Sequence, residues 1–277
     1  GTFDEWAHVR LDGFMADNTL GMHINQQNIQ GKEGYDLGLR AELNDSTMRL
    51  MLDPTDPVIA YMPWTVNDDN FVTWSFPHKH LDANLHMHSD KSSIAIYTDH
   101  QEGNDDHQEE LVVDISDINI ADWIKLNPFA PPMTGSLSAD IRVSGEDKTI
   151  NGAGTVTLAD FTYDRQKVGD IKTDLKVSTA LSGRIRAAAD MYIDGEKTVT
   201  LAGALNDSTA GSPLAMDLSV IHLPLRVANP FIGADIASLS GVLNGSMDVS
   251  GEASSPRLDG WLQLDSAAVR VAMTGTS

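Results

Sequence analysis

Alternation of apolar and polar residues with a period of two is the feature that most constrains this fold. Between positions 243 and 249 the apolar residues and glycine take every second place: Leu243, Gly245, Met247 and Val249. The same pattern recurs along the chain, separated by turn formers such as Asp194-Gly195. Successive side chains of a β-strand point to opposite faces, which explains this period. We therefore expect an all-β, mostly antiparallel chain whose strands each have one dry face and one wet face.

Strands with a single dry face need something to cover that face. A sandwich, a barrel and a long curved sheet around a groove all satisfy this need, and alternation alone does not separate them. Two short stretches, 120–126 and 225–232, have helical character, and each ends near an Asn-Pro-Phe that would stop or kink a helix.

Composition excludes several classes of function. The 277 residues carry a formal net charge of −21, which disfavours binding to nucleic acid. With no cysteine, the chain has neither disulfides nor thiolate catalysis. No run of 18 apolar residues is present, and the motifs of serine hydrolases, zinc proteases and P-loop enzymes are missing. We predict a protein that is not an enzyme and needs no cofactor.

A long internal repeat divides the chain. Asn127-Pro128-Phe129 recurs as Asn229-Pro230-Phe231, and the strand-like segment 135–145 recurs as 241–251, each ending Val-Ser-Gly-Glu. The offset is 102 residues at the first motif and 106 at the second. We predict an N-terminal β unit over 1–110, a first repeat over 111–213 and a second repeat over 214–277. Repeats built from strands imply an elongated, modular sheet.

Histidines and acidic loops offer candidate metal ligands. His78 with His80, and His86 with His88, form two His-x-His pairs whose members share a strand face. The second pair falls on the predicted wet face, where exposed histidine is ordinary. The acidic stretches 67–70 and 104–106 lack the spacing of an EF-hand. We therefore predict no metal site and interpret these residues as solvated surface.

The repeat motifs carry a resemblance to a known family. Asn229-Pro230-Phe231, the glycine-alternating strand 241–251 and the following Pro256, Leu258, Gly260 and Leu264 closely resemble the C-terminal region of the TamB family. The first copy departs from the motif, because Thr149-Ile150 stands in place of Ser-Pro. The segment Pro63-Trp64-Thr65-Val66-Asn67 also resembles an upstream part of such proteins, so the resemblance covers roughly residues 60–277.

The resemblance implies a fold and a function. TamB-like proteins are anchored in the inner membrane, cross the periplasm to a barrel of the Omp85 class, and form a β-taco groove with an apolar interior. They are implicated in outer-membrane protein assembly and in phospholipid movement. We therefore expect a periplasmic fragment of a longer, anchored protein, an elongated curved sheet, and phospholipid or nascent outer-membrane protein as its partner.

Alternation and the repeat together predict the residues that line this groove: Leu137, Ile141, Val143, Val156, Leu158, Met216, Leu218, Leu243, Met247, Val249, Leu258, Leu262 and Leu264. The alternative for each of these residues is that it packs in an ordinary hydrophobic core. The leading rival function is a surface or adhesive β-sandwich that binds protein or glycan. An acidic β-helix that acts on carbohydrate is a weaker rival, because its coils would repeat every 20–30 residues.

Overall fold

Nineteen strands and three short helical segments make up the described part of the chain. The structure, a computed structural model, describes residues 8–77, 80–100, 109–125, 129–146, 149–180, 183–206, 213–232, 237–252 and 254–271. Every strand pairing recorded among these residues is antiparallel. The prediction of an all-β, mostly antiparallel fold is therefore confirmed.

The chain divides into two compact units. The first comprises Gly1–Ala130 with Leu137–Arg142, and the second comprises Pro131–Ser136 with Val143–Ser277. One long strand, β12 (Met133–Glu146), contributes to both units. The sequence-based boundaries at 110 and 213 describe the repeat rather than these units, and they stay a prediction.

The first unit contains eleven strands besides its part of β12. They are β1 (His8–Ala16), β2 (Thr19–Gln27), β3 (Glu33–Leu43), β4 (Thr47–Leu52), β5 (Val58–Ile59), β6 (Met62–Pro63), β7 (Thr65–Val66), β8 (Phe71–Ser75), β9 (His80–Ser89), β10 (Ser92–His100) and β11 (Glu109–Asn119). A short helix, α1 (Ile120–Ile124), follows β11, and the Asn119 side chain caps its first turn. Pairing follows chain order except at β5–β7, which attach to β3 and β9.

The core of the first unit forms around that irregular segment. Trp64 is 1% exposed and packs with Ile59, Ala60, Val66, Met87 and Ile118. The loop that follows is held by amide side chains: Asn70 bonds both the N–H and the C=O of Leu52. Asn67 likewise donates to the carbonyl of Asn84 and accepts the N–H of His86, so the amides of the acidic stretch 67–70 build the turn.

The second unit is a seven-stranded sheet in simple chain order, besides its part of β12. Its strands are β13 (Thr149–Tyr163), β14 (Gln166–Thr179), β15 (Ile185–Ile193), β16 (Glu196–Leu205), β17 (Leu214–Pro224), β18 (Ala237–Glu252) and β19 (Ser255–Val271). A 3₁₀ helix (Leu225–Ala228) and the four-residue α2 (Asn229–Ile232) connect β17 to β18. The predicted turn at Asp194-Gly195 is tight, with both residues at positive φ, as a two-residue hairpin loop requires.

The internal repeat is also present in the backbone geometry. A strand, a helical segment and two strands occur as β11, α1, β12 and β13, and again from β17 to β19. Gly135 and Gly241 both have positive φ, at 134° and 104°. Each lies opposite a bulge in the neighbouring strand, and the bulged residue, Asp160 or Ser266, also has positive φ. Gly241 follows Gly135 by 106 positions, and Ser266 follows Asp160 by the same number. The predicted strands at 135–145 and 241–251 are confirmed as equivalent elements; Asn127 and Pro128 lie outside the described residues.

Candidate functional site

Three rows of cross-strand neighbours build one apolar face across the second unit. Residues directly opposite each other in an antiparallel sheet point to the same side. The first row joins Val156, Thr173, Met191, Val199, Val220, Gly245 and Leu262. The second joins Gly154, Leu175, Ala189, Leu201, Leu218, Met247 and Gly260, and the third Gly152, Val177, Ala187, Gly203, Met216, Val249 and Leu258. Thr173 is the one member of these rows that is neither apolar nor glycine.

We call these three rows, with Leu158, Leu243 and Leu264 at their ends, the apolar face. Ten of the thirteen residues predicted to line a groove lie on it: Val156, Leu158, Met216, Leu218, Leu243, Met247, Val249, Leu258, Leu262 and Leu264. Alternation was therefore sufficient to place them on one side of the sheet. It also predicted the dry face of β14, so Leu175 and Val177 could have been included from the same signal.

Side chains of the apolar face are only partly covered. Met216, Leu218, Met247 and Val249 are half-buried, whereas a packed core would leave them nearly inaccessible. Val220 is one of the few members below a tenth exposed, at 7%. A continuous apolar surface of this kind has the accessibility of a binding surface.

The last strand of the second unit is the most exposed part of this face. Leu258, Leu262 and Leu264 are 59%, 55% and 60% exposed. Among the described residues β19 pairs with β18 alone, so its other edge has free backbone donors and acceptors. A long, apolar edge strand is a ready template for another strand or for an apolar ligand.

The opposite face of the second unit is polar and tied together by side-chain contacts. Asp174 accepts one hydrogen bond from Thr155 Oγ1 at 2.7 Å and another from Lys172 Nζ at 3.0 Å, and the two bonds hold the pKa of Asp174 below its ordinary value. Lys197 pairs with Asp190 at 2.8 Å, which lowers the pKa of that carboxyl and raises the pKa of the lysine.

The other three predicted lining residues lie on β12. Leu137 and Ile141 belong to the first unit, where both are half-buried and Leu137 packs against the Trp64 core. Val143 belongs to the second unit and is half-buried. The sequence did not reveal Trp64 itself as a core residue, because the irregular segment around it has no strand periodicity.

Two of the histidines considered as metal ligands have other partners. His86 and His88 are exposed on the wet face of β9, and the His86 ring stacks on Tyr97 at 5.3 Å. His80 pairs with Glu109 at 3.0 Å, while His78 lies outside the described residues. Within the described ranges no three histidine or carboxylate groups converge as a metal site would need.

Helices contribute little to this molecule. In the described parts of the chain none is long and apolar enough to cross a membrane. Comparison with models of protein families, with curated proteins and with solved structures finds no match to this chain.

Proposed function

We propose that this chain shelters lipid acyl chains, or apolar segments of nascent outer-membrane proteins, on the apolar face of its second unit. The observation that carries the proposal is the continuity of that face over seven strands, with most of its side chains only partly buried. Such a surface needs no chemistry to act. It only has to replace water around an apolar cargo.

The energetic argument favours a cargo with long hydrocarbon chains. Each methylene group of a lipid costs about 0.8 kcal/mol when exposed to water. A lipid with two chains therefore faces a barrier of tens of kcal/mol if it crosses an aqueous space unshielded. A surface of leucine, valine and methionine side chains removes much of this cost, since it shields the acyl chains from water and does not require them to adopt one conformation.

A surface β-sandwich that binds protein or glycan is the rival function. A sandwich packs a second sheet over the apolar face, and its inward side chains become inaccessible. The described strands of the second unit pair as one sheet, and Leu218 and Met247 keep part of their surface accessible. The partial exposure of the face favours an apolar carrier over the sandwich.

Location and partners rest on the resemblance of the repeat motifs to the TamB family. On that basis we propose a periplasmic segment of an inner-membrane-anchored protein, which works with an Omp85-class barrel in phospholipid transport or outer-membrane protein assembly. The motif supports this assignment, since Asn229 begins the short helix α2 and Gly241 stands at the bulge between β18 and β19.

The proposal can be tested on the purified chain. Native mass spectrometry should detect retained phospholipid, and a photoreactive amino acid at Leu218 or Met247 should crosslink to its acyl chains. The same probe at Asp217 or Asp248, on the opposite face of the same strands, is the matched control. Absence of lipid in the spectra, with equal crosslinking on the two faces, would exclude lipid as the cargo of this face.

A further inference from the structure

A cavity of about 350 Å³ lies in the first unit, bounded by α1 on one side and by strands on the other. Its strand side is formed by Ile94, Ile115, Ile118 and Leu137. Ile94 and Ile115 are direct cross-strand partners, so they form one continuous patch of the wall. The cavity is partly open, which makes it reachable from solvent.

The helical wall is supplied by Ile120, Trp123 and Ile124. Trp123 contacts the buried Trp64 edge to face, with ring centroids 6.3 Å apart. This contact joins the wall to the buried core of the first unit. The position of Trp123 in the wall is therefore set by packing within the protein.

The chemistry of the wall selects the kind of occupant. Among the described residues, six lining side chains are aliphatic and the seventh is Trp123, whose indole N–H is buried, and the wall that they form exposes no polar atom. A polypeptide segment has an N–H and a C=O at nearly every residue, and burying them here would leave them unpaired at substantial cost. A sugar or phosphate headgroup meets the same obstacle. A hydrocarbon chain has no such groups.

The size of the cavity agrees with one chain end. A dry cavity of about 150 Å³ takes up benzene, so one of 350 Å³ has room for a hydrocarbon segment of roughly a dozen carbons. Two chains of a phospholipid do not fit side by side in that volume. The polar end of the lipid has to stay outside.

We propose that this cavity is the seat for the methyl end of a single acyl chain, with α1 as its wall. The inference rests on the proposed function and deepens it, because it commits to lipid as cargo at a place separate from the apolar face. The helical connection of the second repeat, Leu225–Ile232, has no tryptophan and instead directs Arg226 to Asp194 and to the carbonyl of Val168. The seat therefore belongs to the first copy.

Trp123 provides the readout. Lysophosphatidylcholine brominated near the methyl end of its chain should quench Trp123 several-fold more than the same lipid brominated near its ester. The chain has 5 tryptophans, and all of them contribute to the fluorescence. The difference in quenching between the parent and Trp123→Phe therefore gives the part that is due to Trp123. Equal quenching by the two lipids, or none, overturns the seat.

Filling the cavity gives a second, independent measurement. Ile124→Phe and Leu137→Phe add bulk inside it and should reduce the quenching by the methyl-end lipid several-fold. Ile221→Phe, at an exposed isoleucine of the second unit, is the control and should leave it unchanged. If the cavity variants fail to fold by circular dichroism, the comparison of the two lipids in the parent chain decides alone.

The two hypotheses can fail separately. Acyl crosslinks at Leu218 or Met247 without selective quenching of Trp123 would overturn the seat and leave the proposed function standing. No acyl binding at either place would overturn both the seat and lipid as the cargo of the apolar face.

Discussion

At the scale of single residues, Trp64 has the largest share in the core of the first unit. Its side chain is 1% exposed and packs against residues from β5, β7, β9 and β11. Its indole N–H has no hydrogen-bond partner among the described residues, so its value to the fold lies in packing. The stabilisation from packing this ring therefore exceeds the free-energy cost of burying its unpaired N–H.

Trp64→Ala should destabilise the first unit by about 3–5 kcal/mol, because it removes a large buried ring and leaves a cavity. Trp261→Ala is the matched control: this ring on β19 is 55% exposed, and its loss should cost less than about 1 kcal/mol. Urea unfolding followed by circular dichroism measures both. Equal losses in the two variants would show that the Trp64 cluster is not the core of this unit.

Asp194 is a second residue with a defined structural role, and its effect depends on pH. Its carboxylate accepts the N–H of Asp170 at 2.9 Å and pairs with Arg226, and the Asp170 contact is the main reason that its pKa lies below the ordinary 3.8. A lowered pKa means that the charged form stabilises the fold at neutral pH. That contribution is lost as the pH falls through the folded-state pKa.

Asp194→Asn should therefore lower the free energy of unfolding at neutral pH and make little difference in strong acid. The effect is small, since the side chain is 48% exposed and water screens the ion pair. Denaturant titrations of both proteins across the acid range measure it. If the free energies of unfolding of the two proteins differed by the same amount at every pH down to strong acid, the stabilising role of the Asp194 carboxylate would be contradicted.

At the scale of elements, alternation predicted the strands well because it reports a local property of the chain. Cross-strand register places Val156, Leu218 and Met247 on one face, as their spacing implied. The segment 53–66 was not predicted, because β5 to β7 are two residues each and too short to display a period. The cavity beside α1 was missed for a related reason: it depends on how a five-residue helix packs onto the sheet.

The repeated bulge gives a prediction about glycine. A Cβ at Gly241 would lie 2.7 Å from the carbonyl oxygen of Asp265, and at Gly135 it would lie 2.8 Å from that of Ala159. Both glycines also have positive φ, which strains any other residue. Gly241→Ala and Gly135→Ala should each cost about 1–3 kcal/mol.

Gly145→Ala is the control for this pair, because a Cβ there meets nothing closer than 3.5 Å and the residue is exposed. Thermal unfolding should separate the three variants, with Gly145→Ala near the parent. If Gly145→Ala and Gly241→Ala lost similar thermal stability, the bulge would not specifically require glycine at position 241.

The exposed edge of β19 predicts association. Its leucines at 258, 262 and 264 lie on one face, and its outer backbone edge is unpaired among the described residues. Leu262→Lys should reduce concentration-dependent self-association, since a charged lysine blocks both apolar contact and strand addition. Gln263→Lys adds the same charge to the other face and should have a weaker effect. Sedimentation velocity over a concentration series tests this, and equal effects would exclude the apolar face as the cause.

At the scale of the whole molecule, the apolar face and the compact core respond differently to charge. Val220 and Met247 point to the same side of the second unit, yet Val220 is 7% exposed and Met247 is half-buried. Met247 also lies beside Gly260, which has no side chain to cover it. A carboxylate at Val220 would be buried without a partner, whereas one at Met247 would keep contact with water.

Met247→Asp should therefore leave the chain folded and weaken the binding of lysophosphatidylcholine severalfold, because a charge in an apolar face interrupts contact with the acyl chain. Val220→Asp should instead unfold the second unit, at a cost of several kcal/mol. Ser246→Asp adds the same charge to the opposite face of β18 and should change neither property. Thermal unfolding and lipid binding are measured on all three variants. Unfolding of Met247→Asp to the same degree as Val220→Asp, with no lipid bound by the parent, would identify the apolar face as ordinary core and rule out a carrier surface in this unit.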